Sequence, residues 1–219
     1  MSDTAMTSVV VPSRTEAVLD AVKHAILTGR LVPGQALVET ELAAQLGVSK
    51  TPVREALKTL AGAGLVTISP YRGAAVRTVD DTLACSIYDI RLLLEPEALR
   101  SAVHNGTAQR GDDHLAAAER ALELADAATD RADRSLANRE FHRSLYLGCG
   151  NDLMIGILDG LRDQTALVSA MVWARTPSWD QEAAEHQAIL DAARSGAADQ
   201  AAELLREHIS EFVTRNFER

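Results

Sequence analysis

Cysteine and aromatic residues are scarce in this chain of 219 residues, and each shortage argues against a class of fold. Two cysteines, Cys85 and Cys149, are too few for a disulfide framework. They are most simply interpreted as small buried apolar residues. Aromatic residues make up only 4% of the sequence, and alanine and leucine dominate its second half. This composition favours helices over a β-sandwich.

Long apolar runs are also missing. The N-terminal sequence MSDTAMTSVVVPSR has neither the basic start nor the apolar length of a signal peptide. No stretch approaches the roughly 18 consecutive apolar residues that a membrane-spanning helix needs. We therefore expect a cytoplasmic protein without a membrane partner.

An overall excess of positive charge, the usual mark of a nucleic-acid-binding chain, is absent, because the net charge is −9. The charge is unevenly distributed, however. Residues 1–78 contain eight Lys and Arg against six Asp and Glu, a balance of +2. Residues 79–219 contain 14 against 25, a balance of −11. Only the first segment has a charge that suits a polyanion.

The first segment, residues 1–78, has the element order of a winged helix-turn-helix domain. Apolar residues recur at helical spacing in residues 15–29, 39–47 and 52–64, and glycine ends each run. Two short β-like runs, LVTIS and AAVRTV, are separated by PYRG and predict a hairpin. Three helices followed by a hairpin, with a tight turn between the second and third helices, form this DNA-binding plan.

The second segment, residues 79–219, is predicted to be an all-helical bundle of about six helices. A long helix begins near residue 81, and Pro96 within it predicts a break or a kink. The other helices are predicted over about 111–128, 131–148, 151–174, 178–195 and 198–217. The whole chain is therefore predicted to be mainly α, with its two domains joined at residues 78–81.

The first turn of the third helix carries the residues that we expect to read DNA, because this helix lies in the major groove in helix-turn-helix proteins. In chain order they are Ser49, Lys50, Thr51 and Arg54. Hydroxyl and lysine groups suit phosphate oxygens, whereas arginine holds guanine O6 and N7 by two hydrogen bonds. At the hairpin tip, Arg72 suits the narrow minor groove and Gly73 permits a close approach. Any one of these residues is more simply explained as a helix cap or a surface residue. Only their combination in this order predicts DNA binding.

Three histidines of the second segment are predicted to point into the bundle. His142, His186 and His208 each lie on the apolar face of their own predicted helix. One such histidine is usually a satisfied core residue, but three on three helices each need a buried partner. A shared divalent metal would satisfy all three, since neutral imidazole is a favoured ligand of zinc, nickel and iron. A hydrogen-bonded core without metal is the alternative.

The first segment resembles the GntR family of bacterial transcription regulators over nearly its whole length. The resemblance lies in LVPGQALVETELAAQLGVSKTPVREALKTLAGAGLVTISPYRGAAV, a pattern far more specific than a generic helix-turn-helix. It implies DNA contacts by eight residues, in the recognition helix, on the DNA backbone and in the wing. The recognition-helix residues are Ser49, Lys50, Thr51 and Arg54, the backbone residues are Arg14 and Thr40, and the wing residues are Arg72 and Gly73.

The second segment is similar to the all-helical effector domain of the fatty-acid-regulator subgroup, the FCD type. The matching stretches are IRLLLEPEAL, NREFHRSLYLGCGN, EHQAIL and LLREHI. The resemblance implies a divalent metal, zinc or nickel, held by the three histidines and by an aspartate four residues before the first. Asn138 stands in that fourth position, which removes a negative charge but keeps the i, i+4 geometry. The resemblance further implies a homodimer and a small carboxylate effector held by the metal and Arg91.

The expected function is therefore that of a metabolite-responsive, homodimeric DNA-binding transcription regulator. A metal-dependent hydrolase on a DNA-binding domain is the rival, because a three-histidine site with an open position is able to activate water. Against it, no HExxH motif is present, and Glu182 and Glu185 near His186 are predicted to be solvated. A regulator with a purely structural metal is a third alternative. For Arg91, a surface salt bridge with Glu95 is the alternative to effector binding.

Overall fold

The structure, a computed structural model, describes residues 13–109, 113–175 and 179–217. Its first part contains three helices and three short strands. The helices are α1 (Arg14–Leu27), α2 (Glu39–Leu46) and α3 (Lys50–Gly62), and the strands are β1 (Ala36–Leu37), β2 (Val66–Ser69) and β3 (Gly73–Val76). The strands form an antiparallel sheet in the order β1-β3-β2, in which Thr67 faces Ala75. This arrangement confirms the predicted winged helix-turn-helix fold.

Local sequence signals position the recognition helix α3. Gly47 ends α2 with φ at +66°, a left-handed conformation that glycine adopts without steric cost and that allows the tight turn into α3. Behind α3, Val53, Leu57 and Leu60 are almost fully buried against the rest of the domain. The opposite face of α3 is consequently held outward, towards solvent.

The second part contains six helices within the described residues, which confirms the predicted helical bundle. They are α4 (Asp81–Gln109), α5 (Asp113–Ala127), α6 (Arg131–Tyr146), α7 (Asp152–Arg175), α8 (Trp179–Arg194) and α9 (Ala198–Asn216). A short 3₁₀ turn, Leu147–Cys149, leads from α6 towards α7. Helix α4 packs along α9, α5 along α6, and α8 along α9. Of the helices in the described ranges, none is long and apolar enough to cross a membrane.

Helix α4 continues through Pro96 without the break that the sequence allowed. Proline has no N–H, so the carbonyl oxygen of Leu92, four residues earlier, loses its helical hydrogen bond. Arg206 of α9 donates a hydrogen bond to this oxygen over 3.4 Å. The neighbouring helix thus supplies the donor that Pro96 lacks.

Helix α7 belongs to the bundle and also packs against the first part. Leu167 of α7 is buried in the apolar cluster formed by α1, α3 and the sheet. Asp163 accepts an ion pair from Lys23 of α1 at 2.5 Å. Gly64, which follows α3 with φ at +74°, lies so close to Gln164 that a Cβ atom would come within 2.5 Å of its side-chain Cδ. The effector part and the DNA-binding part are therefore in direct contact through one helix.

Candidate metal centre and DNA-binding face

The eight residues predicted to meet DNA are all exposed in the structure. They are Arg14, Thr40, Ser49, Lys50, Thr51, Arg54, Arg72 and Gly73. Ser49 precedes α3 as its N-cap residue, yet its side chain makes no capping hydrogen bond to any described residue. The backbone N–H groups at the start of α3 and the Ser49 hydroxyl therefore face outward, an arrangement that suits a phosphate.

Arg54 is held in place by Glu39 of α2. Its Nε donates to Oε1 and Oε2 of Glu39 over 3.0 and 3.2 Å, and its Nη2 donates to Oε2 over 2.8 Å. A groove of about 440 Å³ separates this pair and Lys58 from Ile68 and Arg72 of the wing. The fork orients the guanidinium before any ligand arrives, and it leaves Nη1 free to reach a base edge.

The three predicted histidines meet inside the second part. His142 comes from α6, His186 from α8 and His208 from α9, and their exposed fractions are 6%, 0% and 5%. One ring nitrogen from each lies within 4.8 Å of the others. The Nε2 atoms of His186 and His208 are only 3.1 Å apart. The three side chains thus have the geometry of a metal-ligand set, as the sequence suggested.

Carboxylates hold the outer nitrogens of two of these rings. Glu185 Oε2 lies 2.6 Å from Nδ1 of His208, and Glu95 Oε2 lies 3.2 Å from Nδ1 of His142. A carboxylate at Nδ1 keeps the ring proton there and leaves Nε2 as a lone-pair donor. For His208 this lone pair lies against Nε2 of His186. Glu185 and Glu95 contact the histidine cluster, although the sequence interpretation did not assign them to the site.

Arg91 is buried, and its nearest partner is Glu95. Arg91 Nε donates to Glu95 Oε1 over 2.6 Å, and Nη2 donates to Oε2 over 3.2 Å. The salt bridge between Arg91 and Glu95, which was the alternative to effector binding in the sequence analysis, is thus formed. It lies in the interior and not at the surface. Nη2 is also 3.2 Å from Nδ1 of His142. Both atoms carry protons in the metal-binding tautomer, so this contact is not a hydrogen bond in that state.

Asn138 gives the strongest indication that the cluster fits a metal. Its side chain is buried on α6, one turn before His142, and its Oδ1 has no hydrogen-bond partner in the described part of the chain. A buried carbonyl without a donor costs about 1–3 kcal/mol, so a cation ligated by Oδ1 would remove a real penalty. The charge states agree with this role. Burial, and then Arg91, lower the pKa of His142 to about 4, and burial lowers that of His186, so both rings are neutral ligands at pH 7.

A cavity of about 20 Å³ lies beside His142 and Asn138, between α4, α6 and α7. Its polar wall consists of Arg91, Glu95, Ser135, Asn138, Arg139, His142, Tyr146, Arg162, Thr165 and Ser169. Arg139 and Arg162 were not singled out from sequence. The available signal was weak: Arg162, Thr165 and Ser169 share one face of a helix by their spacing, and Arg139 follows Asn138 directly.

Glu182 and Glu185 correct the sequence interpretation, which placed both in solvent. Glu182 is only 2% exposed, and it accepts a hydrogen bond from Nε1 of Trp173 over 2.9 Å. Glu185 is half-buried because His208 and Arg215 both bind its carboxylate. Burial acts to raise the pKa of Glu185, but these two donors lower it to about 2. A carboxylate held this firmly is a poor general base, which weakens the hydrolase alternative.

Comparison with known protein families assigns each part of the chain to a family model. The sequence model of the gntR family of bacterial regulatory proteins matches residues 14–76. The model of the FCD domain matches residues 86–211. Together these matches include nearly every residue discussed above.

Similar proteins are named as transcriptional regulators. The "Probable D-xylose utilization operon transcriptional repressor" of Paenarthrobacter nicotinovorans is 31% identical over 196 residues, which cover 90% of this chain and 85% of the relative. The repressor GlaR of Escherichia coli is 27% identical over 195 residues, covering 85% and 88%. A solved GntR-type regulator from Rhodococcus sp. RHA1 superimposes with a TM-score of 0.82 at 26% identity, covering 93% of this chain and 97% of that one. None of these three is described as an enzyme.

Loss of the hydrogen bond that supports a metal-bound histidine usually lowers metal affinity by about 10–100-fold. Replacing His142 by alanine removes the histidine itself, so it should lower zinc affinity by more than this amount. Replacing Asn138 by aspartate should tighten binding, because it adds an anionic oxygen at the same position. Metal analysis of the purified variants under a competing chelator measures both. His24→Ala, which changes an exposed histidine of α1, is the control and should bind like the unmodified protein. If all four proteins bind equally little zinc, the histidines form a hydrogen-bonded core and the metal assignment is wrong.

Proposed function

This chain belongs to the gntR family of bacterial regulatory proteins and is a DNA-binding transcription regulator with an FCD domain, and from that premise we propose that a small carboxylate, bound beside a divalent metal, controls its binding to an operator. The domain division proposed is 1–78 for DNA binding and 79–219 for effector binding and dimerisation. The observation that carries the proposal is the buried histidine cluster, one member of which, His142, lines a cavity with an arginine-rich wall.

The DNA-reading surface is proposed to be the exposed face of α3 together with the wing. Ser49, Lys50 and Thr51 would bind phosphates at the start of the helix, and Arg54 would read a base. Arg14 and Thr40 would contact the DNA backbone. In the wing, Arg72 would enter the minor groove beside Gly73, which has φ at +71° and no Cβ to obstruct the approach. The +2 charge of residues 1–78 supports this placement.

The metal is proposed to be zinc or nickel, held by His142, His186 and His208 with Asn138 Oδ1 as the fourth ligand. When bound, it would supply a positive charge and would accept a carboxylate oxygen by expanding from four to five ligands or by releasing the neutral Asn138 oxygen. Arg91 is proposed to contact the same ligand. Because its Nε and Nη2 already bind Glu95, it would offer the ligand the remaining Nη1.

Helix α7 is the proposed connection between effector and operator. Its Thr165 and Ser169 line the cavity, whereas its Leu167 packs in the core of the DNA-binding part. Asp163 of α7 binds both Arg139 of the cavity wall and Lys23 of α1. An effector that moves Arg139 or rotates α7 would change this shared contact and thereby reorient the reading head.

A homodimer is proposed because large apolar side chains are exposed on two helices that pack together, α4 and α7. Leu93 of α4 is 75% exposed, and Leu153 and Ile157 of α7 are 76% and 46% exposed. Side chains of this kind on neighbouring helices are typical of a surface that a second copy covers. A twofold axis would also present two α3 helices to a palindromic operator.

The proposal is tested by thermal-shift measurements on the zinc-loaded protein with a panel of small organic acids, followed by operator titrations with each acid that stabilises it. At least one acid should raise the melting temperature and change operator affinity by about 5–150-fold, the usual range of allosteric coupling. If zinc raises the melting temperature but no acid does, the metal is purely structural and the effector proposal is wrong.

Replacing Arg54 by alanine should weaken operator binding by about 1 kcal/mol per half-site, the lower end of the range for a bidentate base contact, because Glu39 leaves only Nη1 for the base. The fold should survive, since the Arg54 side chain is 56% exposed. Fluorescence anisotropy against a labelled operator measures the loss, and its stoichiometry should be two chains per operator. Arg120→Ala, which removes an exposed arginine of α5, is the charge-matched control and should leave affinity unchanged. Equal affinity of the two variants would reject Arg54 as a reading residue.

Replacing Lys23 by glutamine should reduce the effect of the acid on operator affinity, because it removes the half-buried ion pair with Asp163. The expected loss of coupling is up to about 1 kcal/mol, the usual range for a partly exposed pair. Lys23→Arg keeps the charge and is expected to restore most of the response. The coupling through Asp163 would be disproved if the glutamine variant kept the full response to the acid.

A further inference from the structure

The wall of the effector cavity contains two arginines whose hydrogen-bonding capacity is only partly used. Arg139 binds Asp163 through Nη1, and Arg162 binds Glu140 through Nη2 at 2.5 Å. The Nε–H group of each is buried and has no hydrogen-bond partner within the described residues. Leaving a buried charged donor unsatisfied is costly, so two such donors on one cavity indicate a ligand that accepts from them.

The charges around these arginines do not balance. Four cations and three carboxylates form two separate groups of ion pairs among α1, α6 and α7. Arg143 and Arg162 are balanced by Glu140 and Asp159. Lys23 and Arg139 share the single carboxylate of Asp163. This second group therefore carries one uncompensated positive charge, and its Arg139 lines the cavity.

At the metal side of the cavity, the positive charge also exceeds the single negative charge of one carboxylate. The proposed ligands, three neutral histidines and Asn138, contribute no negative charge to a divalent ion. Glu95 does not compensate for it either, because its charge is already matched by Arg91. Aspartate at position 138 would have cancelled part of the metal charge, whereas asparagine leaves it to the ligand.

We propose that Arg139 and Arg162 form a second anion-binding subsite, so that the effector of this chain is a short dicarboxylate. One carboxylate would bind at the metal side, near Asn138 and His142, and the other would accept from the Nε–H groups of Arg139 and Arg162. The cavity of about 20 Å³ holds little more than one water molecule, so a dicarboxylate enters only when the wall opens, and a short spacer requires the least opening. The side chains of Arg139 and Arg162 are 19% and 20% exposed, so this end of the cavity reaches solvent and admits the ligand when they turn. The inference rests on the carboxylate effector proposed above.

The test is isothermal titration calorimetry of the zinc-loaded full chain with acids of equal carbon number. Malonate, succinate and glutarate are compared with propionate, butyrate and valerate at constant ionic strength. The best dicarboxylate should bind at least about tenfold more tightly than its matched monocarboxylate, equivalent to 1.4 kcal/mol.

Two variants remove the proposed donors while keeping the charge that binds each acidic partner. Arg139→Lys and Arg162→Lys should each lower the affinity for that dicarboxylate by about tenfold and change monocarboxylate affinity by less than about threefold. Arg143→Lys is the matched control, because Arg143 joins α6 to Asp159 of α7 but does not line the cavity. Circular dichroism checks that each variant is folded.

The outcomes separate this inference from the function on which it rests. Equal binding of both acid classes to the unmodified protein would disprove the second subsite but leave the carboxylate effector standing. A loss in Arg143→Lys as large as that in Arg139→Lys would mean that the arginines only stabilise the bundle, and it would also overturn the inference. No binding of any acid would overturn the carboxylate effector itself and the second subsite with it.

Discussion

The burial of three imidazole rings at one point of the helical bundle is the constraint on which the second part of this protein depends. Every ring nitrogen there needs a partner, because an unsatisfied one costs about 1–3 kcal/mol. Glu95 and Glu185 meet this need for two rings, and each is in turn bound by an arginine, Arg91 or Arg215. The polar network thus extends outward from the histidines and fixes how α4, α6, α8 and α9 face one another. Only Asn138 Oδ1 and His186 Nδ1 are left without partners within the described part of this cluster.

The chain separates its charges according to what each part binds. The second part has an excess of acid, −11 over residues 79–219, which keeps a helical surface of this size from competing for DNA. Its cavity wall has the opposite character, because Arg91, Arg139 and Arg162 face inward. Helix α7 carries part of this wall and also packs against α1, so a single helix separates an anion bound inside from the DNA-binding part.

The sequence was sufficient to predict the fold, because its signals are local. Helical spacing of apolar residues, the glycine at position 47 and the hairpin turn determine the elements, and all three histidines lie on apolar faces that must point inward. The partners of these histidines could not be predicted in the same way. Glu185 looks solvated on its own helix, and only the packing of α9 brings His208 and Arg215 to it. Arg139 likewise resembles any surface arginine until α7 places Asp163 opposite. The donor that replaces the missing N–H of Pro96 comes from Arg206, which lies 110 residues further along the chain.

Pro96 also has a mechanical consequence for the site. Arg91 and Glu95 occupy the turn of α4 that ends at Pro96, and this turn lacks one of the backbone hydrogen bonds that stiffen a helix. The long side-chain bond from Arg206 holds the turn more loosely than a backbone bond would, since it spans 3.4 Å and comes from another helix. Because Glu95 of this turn contacts His142, a small bend of α4 there would shift the histidine and adapt the site to a metal ion of a different radius.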